Sequence, residues 1–118
     1  MQTHTIISPA HKIEQAWQHI KDARAEWNRA AEDDEAAEER HWQLVDAAEN
    51  LIRETEGNTA RSVEIKTWLA FLHTITSRRD DENVMREDLA AISAGEVELD
   101  WTARLMLSAI RDLRAMGA

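Results

Sequence analysis

The chain has 118 residues, a formal net charge of −9, no cysteine, one proline and three glycines. That length suits one domain with one core, and the missing cysteines exclude disulfides, thiolate catalysis and Cys-ligated zinc or iron–sulfur sites. Residues 31–60 hold ten carboxylates against two arginines, nearly all of the excess charge; this would repel a phosphate backbone, and with no basic stripe elsewhere, direct nucleic-acid binding is not expected.

Residues 1–7, "MQTHTII", carry no helical period and read as a flexible arm ahead of a single helical domain, 8–118. They lack the cationic start and apolar core of a secretory leader. The longest apolar run, "WLAFL" at 68–72, is far short of the roughly 20 residues a membrane-spanning helix needs. A cytoplasmic protein outside the membrane is the expectation.

Ser8 and Pro9 predict a helix start, because the hydroxyl can accept from free backbone N–H groups and proline at the first position loses no bond. Ile13, Trp17, Ile20, Trp27 and Ala31 then recur at spacings of three and four, broken at Arg24, so the first helix should end near residue 31. A second stripe runs through Trp42, Leu44, Val45, Ala48, Leu51, Ile52 and Thr55 to a left-handed cap at Gly57–Asn58. Thr59 caps a third helix with Val63, Ile65, Trp68, Leu69, Phe71, Leu72 and Ile75, the expected most buried one. "SRRDDEN" at 77–83 breaks the pattern. Val84, Met85, Leu89 and Ile92 make a short helix that Gly95 stops, and Asp100 caps a last helix carrying Trp101, Leu105, Met106, Ala109, Ile110 and Leu113. Five helices without strand alternation predict an all-α bundle or irregular array.

The segment "AEDDEAAEER", 31–40, invites three readings. As a metal site it offers Glu38 and His41 in a Glu-x-x-His spacing, as in di-iron bundles, with a reversed pair at His11 and Glu14. As a hydrolase it offers Glu35 and Glu38, the first half of the Glu-x-x-Glu…Glu-x-x-Asp magnesium set of MazG-type nucleotide pyrophosphatases, but the second half is missing. The alternative function is thus a small metal- or nucleotide-dependent hydrolase using Glu35, Glu38 and His41. As a helix start, Asp33 or Asp34 caps the second helix and Glu35, Glu38 and Glu39 suit its dipole. Asp46, Glu49, Glu54 and Glu56 extend the charge along the helix, a ladder that a basic partner could read.

No Ser/His/Asp set, HExxH motif or Gly-rich phosphate loop occurs, and His73, inside an apolar segment, reads as a half-buried core histidine. The five tryptophans all fall on apolar faces and are expected to fill a small core. If one is instead an exposed interface anchor, Trp17 or Trp27 is expected, because the first helix has a heptad-like seam that a second copy could use.

Through "LIRET", "NTARSVEIKTWLAFL" and "LDWTARLMLSAIRDLRAM" the chain resembles small uncharacterised acidic helical proteins of alphaproteobacterial and prophage-like gene sets. The parallels are Thr59, Val63, Lys66, Arg104, Leu105, Ser108 and Ala109, within residues 44–116. The resemblance implies a helical fold and no activity. The expected function is therefore non-enzymatic: an adaptor or inhibitor-like protein binding a partner or a second copy through Trp17, Trp27, Glu35, Glu38, Glu39, Asp46 and Glu49, with no catalytic residue and no cofactor.

Overall fold

The computed structural model describes residues 8–29, 34–75 and 77–117. The protein is all-α: six α-helices and one 3-10 turn, with no strand among the described residues. No helix among them is long and apolar enough to cross a membrane. Contacts within the chain cluster into two compact units, Met1–Asn58 and Thr59–Ala118.

The first unit is a helical hairpin of α1, Pro9–Arg29, and α2, Glu35–Glu54. Ser8 opens α1 as its hydroxyl implies, accepting from His11 N at 3.1 Å. Asp34 is the α2 cap, with its Oδ1 accepting from Ala37 N at 3.0 Å; the alternative cap, Asp33, lies outside the described residues, as do the arm 1–7 and Ala31. Ile13, Ala16, Trp17, Ile20 and Ala23 of α1 are buried, as are His41, Val45, Ala48 and Ile52 of α2. Both sets keep the 3-and-4 spacing of one helical face. Ala23 replaces Arg24 as the residue that carries the α1 stripe onward.

The expected left-handed cap at Gly57–Asn58 is not formed. No described glycine has positive φ, and α2 ends at Thr55 in an extended conformation, φ −88° and ψ 127°. A β-branched threonine leaves the helix more readily than it continues it, so the chain departs before the glycine.

The second unit comprises α3, Ala60–Leu72; α4, Arg78–Met85; α5, Leu89–Ala94; the 3-10 turn Glu96–Glu98; and α6, Trp101–Gly117. Thr59 caps α3, accepting from Ser62 N at 3.0 Å, and Asp100 caps α6, accepting from Ala103 N at 2.8 Å. α6 runs back along α3, since Arg114 reaches Glu64, 50 positions away. Ile65, Trp68, Phe71 and Leu72 of α3 are buried with Val84, Ile92, Ala103, Leu107 and Ile110.

The six α-helices agree with an expectation of about five; the helix expected through Val84, Met85, Leu89 and Ile92 is divided into α4 and α5, and "SRRDDEN" starts α4 instead of breaking the pattern. Ser77 accepts from Asp80 N at 3.2 Å, and Asp80 and Asp81 sit in the first turn of α4, where the dipole favours negative charge. Glu87, with φ of 52°, turns the chain, and Asp88 caps α5 through Ala91 N at 3.1 Å. Gly95 ends α5 as expected.

Arg111 ties α6 to the 3-10 turn, donating to Glu96 Oε2 at 3.0 Å and to Ser93 Oγ at 2.8 Å. That hydrogen bond holds the Glu96 carboxyl below its ordinary value of 4.5, against some desolvation and with help from the charges of Arg111 and Arg104. A lowered folded-state value means that the contribution to stability is complete above pH 4.5 and is lost as pH falls through that lowered value. The urea midpoints of the parent and Glu96→Gln should therefore differ most above pH 4.5 and converge in more acid solution. A gap that stays constant with pH would refute the linkage.

Candidate partner-binding face and the cleft beside it

The structure separates the five tryptophans. Trp17 is 1% exposed and Trp68 0%, Trp27 is half-buried, and Trp42 and Trp101 are 53% and 72% exposed. The expectation of an exposed anchor at Trp17 is overturned: position 17 lies in the middle of the buried 13-16-17-20 face, and Lys21 lies over its ring at 5.4 Å. The expectation that every ring fills a core fails for Trp42 and Trp101.

Trp42 stands one turn of α2 from Glu38, Glu39 and Asp46 and two turns from Glu35 and Glu49, on the same side of the helix. Glu35, Glu38, Glu39 and Asp46 are exposed and Glu49 is half-buried. Glu39 accepts from Gln43 Nε2 at 3.0 Å, a neutral partner that leaves its charge in place. Against the six carboxylates of α2 stand only Arg40 and Arg53, and Arg53 is engaged by Glu54 at 3.2 Å. The result is a large aromatic ring, open to solvent, inside a field of negative charge.

His41 holds that ring in place. It is 8% exposed, its Nδ1 lies 3.2 Å from Ala23 O, and the carbonyl can only accept, so Nδ1 carries the proton. The imidazole stacks on Trp27 at 5.1 Å and meets Trp42 edge-on at 5.3 Å. Trp27, half-buried, thus stacks on the far side of the imidazole from Trp42's edge contact. Among the described residues the buried histidine is His41, whereas His73, expected to be half-buried in the core, is exposed at the end of α3, past the last buried residue Leu72.

No protein-family model, curated protein or solved structure matches this chain. A cleft of about 340 Å³ opens beside the aromatic set, lined by Ala23, Glu26, Trp27, Arg29, Arg40 and His41 among others.

The acidic run does not assemble a metal centre among the described residues, since no three His, Asp or Glu side chains converge. Glu35 and Glu38 face solvent while His41 is buried against Ala23 O, so the residues of the hydrolase reading are not brought together. His11 and Glu14 are likewise both exposed.

The spacing of apolar residues hid the exposure of Trp42, although its carboxylate neighbours at i−4, i−3 and i+4 are a readable sign of a polar side. It also hid Glu64, a buried carboxylate four positions before Trp68.

Proposed function

We propose that this is a non-enzymatic, acidic helical protein that acts by binding another protein, adaptor- or inhibitor-like, through the outer face of α2. The partner is basic where it meets that face. Trp42, 53% exposed inside the ring of Glu35, Glu38, Glu39, Asp46 and Glu49, is the observation that carries this reading. Tryptophan contributes more than most side chains when desolvated at the centre of an interface, and an edge contact with His41 limits the rotamer freedom lost on docking. The surrounding carboxylates set partner sign and association rate. Nucleic acid is disfavoured by the same charge. A two-fold dimer through this face would set carboxylates against carboxylates, which favours a different protein over a second copy.

The test compares Trp42→Ala and Glu38→Lys/Glu49→Lys with the parent in affinity capture from the source cell at low salt, followed by binding measurements with any captured protein. Trp42→Ala should weaken binding by about 2 kcal/mol or more while leaving the unfolding midpoint nearly unchanged, and the charge reversals should abolish the salt dependence. A partner held equally by parent and both variants, or one held equally at high salt, would overturn the reading.

A further inference from the structure

The buried row of α6 is Ala103, Leu107 and Ile110. Away from it, Trp101, Leu105, Ser108, Asp112 and Ala115 follow one another at alternating spacings of four and three, with Arg104 beside Leu105, and all six are exposed. That alternation is the seam by which one helix lies along another. Its end is marked by Trp101, the most exposed of the described tryptophans.

The charges on the seam suit a second copy running the other way. Arg104 and Asp112 stand four positions on either side of Ser108. A two-fold axis through Ser108, a side chain small enough for close approach, therefore sets Arg104 of each copy beside Asp112 of the other. It also sets Trp101 over Ala115, a large side chain against a small one. A parallel pairing would bring Asp112 against Asp112 and Arg104 against Arg104. Neither charge is in an ion pair among the described residues. The Arg104 guanidinium is held by two neutral acceptors, Glu96 O at 3.2 Å and Val97 O at 2.8 Å, which place it at the start of the seam. The surrounding charge permits the approach as well: residues 59–118 carry eight Lys and Arg against ten Asp and Glu, whereas residues 1–58 carry six against thirteen.

We propose that α6 pairs with α6 of a second copy as an antiparallel two-fold dimer, independently of what docks on α2. Two tryptophans bury roughly 300–500 Å² between them, and a seam of four turns keeps the total near or below about 1,200 Å², the size of weak and transient interfaces. The chain is thus monomeric at micromolar concentration, where unfolding reads a single copy, and pairs as it approaches the millimolar range.

Sedimentation equilibrium of the full chain, from micromolar to about 1 mM in about 0.15 M salt, should follow the parent from the monomer to the dimer mass. Trp101→Ala should weaken the dimer about tenfold or more, and Trp42→Ala should leave it unchanged. Arg104→Asp and Asp112→Arg, each of which sets like charges together, should both be monomeric when alone. Mixed in equal amounts they should pair as the parent does, because each cross-contact again sets arginine against aspartate; this recovery also shows that both variants are folded. A parent that stays monomeric throughout overturns the proposal, as does a dimer indifferent to Trp101→Ala or lost with Trp42→Ala. So does a mixture that pairs no better than either variant alone.

Discussion

Trp68→Ala should lower the unfolding free energy by about 3–5 kcal/mol, the range for removing a large aromatic from a packed core. Trp101→Ala should change it by no more than about 0.5 kcal/mol, as for an exposed position. The contrast rests on exposure, 0% against 72%, and on partners. The Trp68 ring meets Phe71 edge-on at 6.2 Å, its Nε1 donates to Glu64 Oε2 at 2.9 Å, and the Arg114 guanidinium lies 5.7 Å from its centre. Trp68→Phe isolates the polar part: most of the ring volume remains, while the indole N–H is lost. Glu64 keeps its arginine donors, so that variant should cost only about 1–2 kcal/mol. Urea unfolding followed by far-UV circular dichroism ranks the three. Equal midpoints for Trp68→Ala and Trp101→Ala would show that α3 is not the core of its unit.

Helix starts were legible in the sequence because a cap is a local device. Ser8, Thr59 and Asp100 each accept from a backbone N–H three positions on, and Asp34 does the same. Ser77 has the same chemistry, yet the polar composition of "SRRDDEN" masks it, so a helix start looks like a break. Helical period gave the direction of each apolar face but not its width. On α2 the expected stripe runs from Trp42 through Leu44 and Leu51 to Thr55, whereas burial is confined to His41, Val45, Ala48 and Ile52, and the large residues Trp42, Leu44 and Leu51 are exposed. How wide a face is buried depends on what packs against it, a tertiary fact that spacing along one helix does not contain. The same reason hid the contrast between His41 and His73: one lies opposite Ala23, the other falls beyond the last buried turn of α3. The acidic positions of the candidate face were legible, since charge is read directly, while its aromatic centre was not.

Glu64→Ala should cost about 3 kcal/mol, at the low end for breaking a buried ion pair, because its arginine partners keep some contact with water. One Glu64 oxygen, in a side chain 7% exposed, accepts from Trp68 Nε1 at 2.9 Å, Arg114 Nε at 3.1 Å and Arg61 Nη1 at 3.2 Å. It thereby joins α3 to α6. Arg61 also grips both carboxylate oxygens of Glu87, and Arg114 donates to Glu87 O at 2.8 Å, so the turn between α4 and α5 is held by the same two arginines. That turn requires Glu87 to sit at φ of 52°, a left-handed conformation that costs a non-glycine residue about 1 kcal/mol. The arrangement predicts a reversal of sign. In the parent, Glu87→Gly relieves the backbone but loses the bidentate pair, and the loss should outweigh the relief by about 1 kcal/mol after allowing for the partial exposure of Arg61. In an Arg61→Met background the pair is already gone, so Glu87→Gly should stabilise by about 1 kcal/mol. The exposed Arg53–Glu54 pair, with both side chains about two-thirds open to solvent, serves as the control and should contribute less than about 1 kcal/mol. If Glu87→Gly has the same sign in both backgrounds, the Arg61 ion pair is not what holds the left-handed residue in this turn.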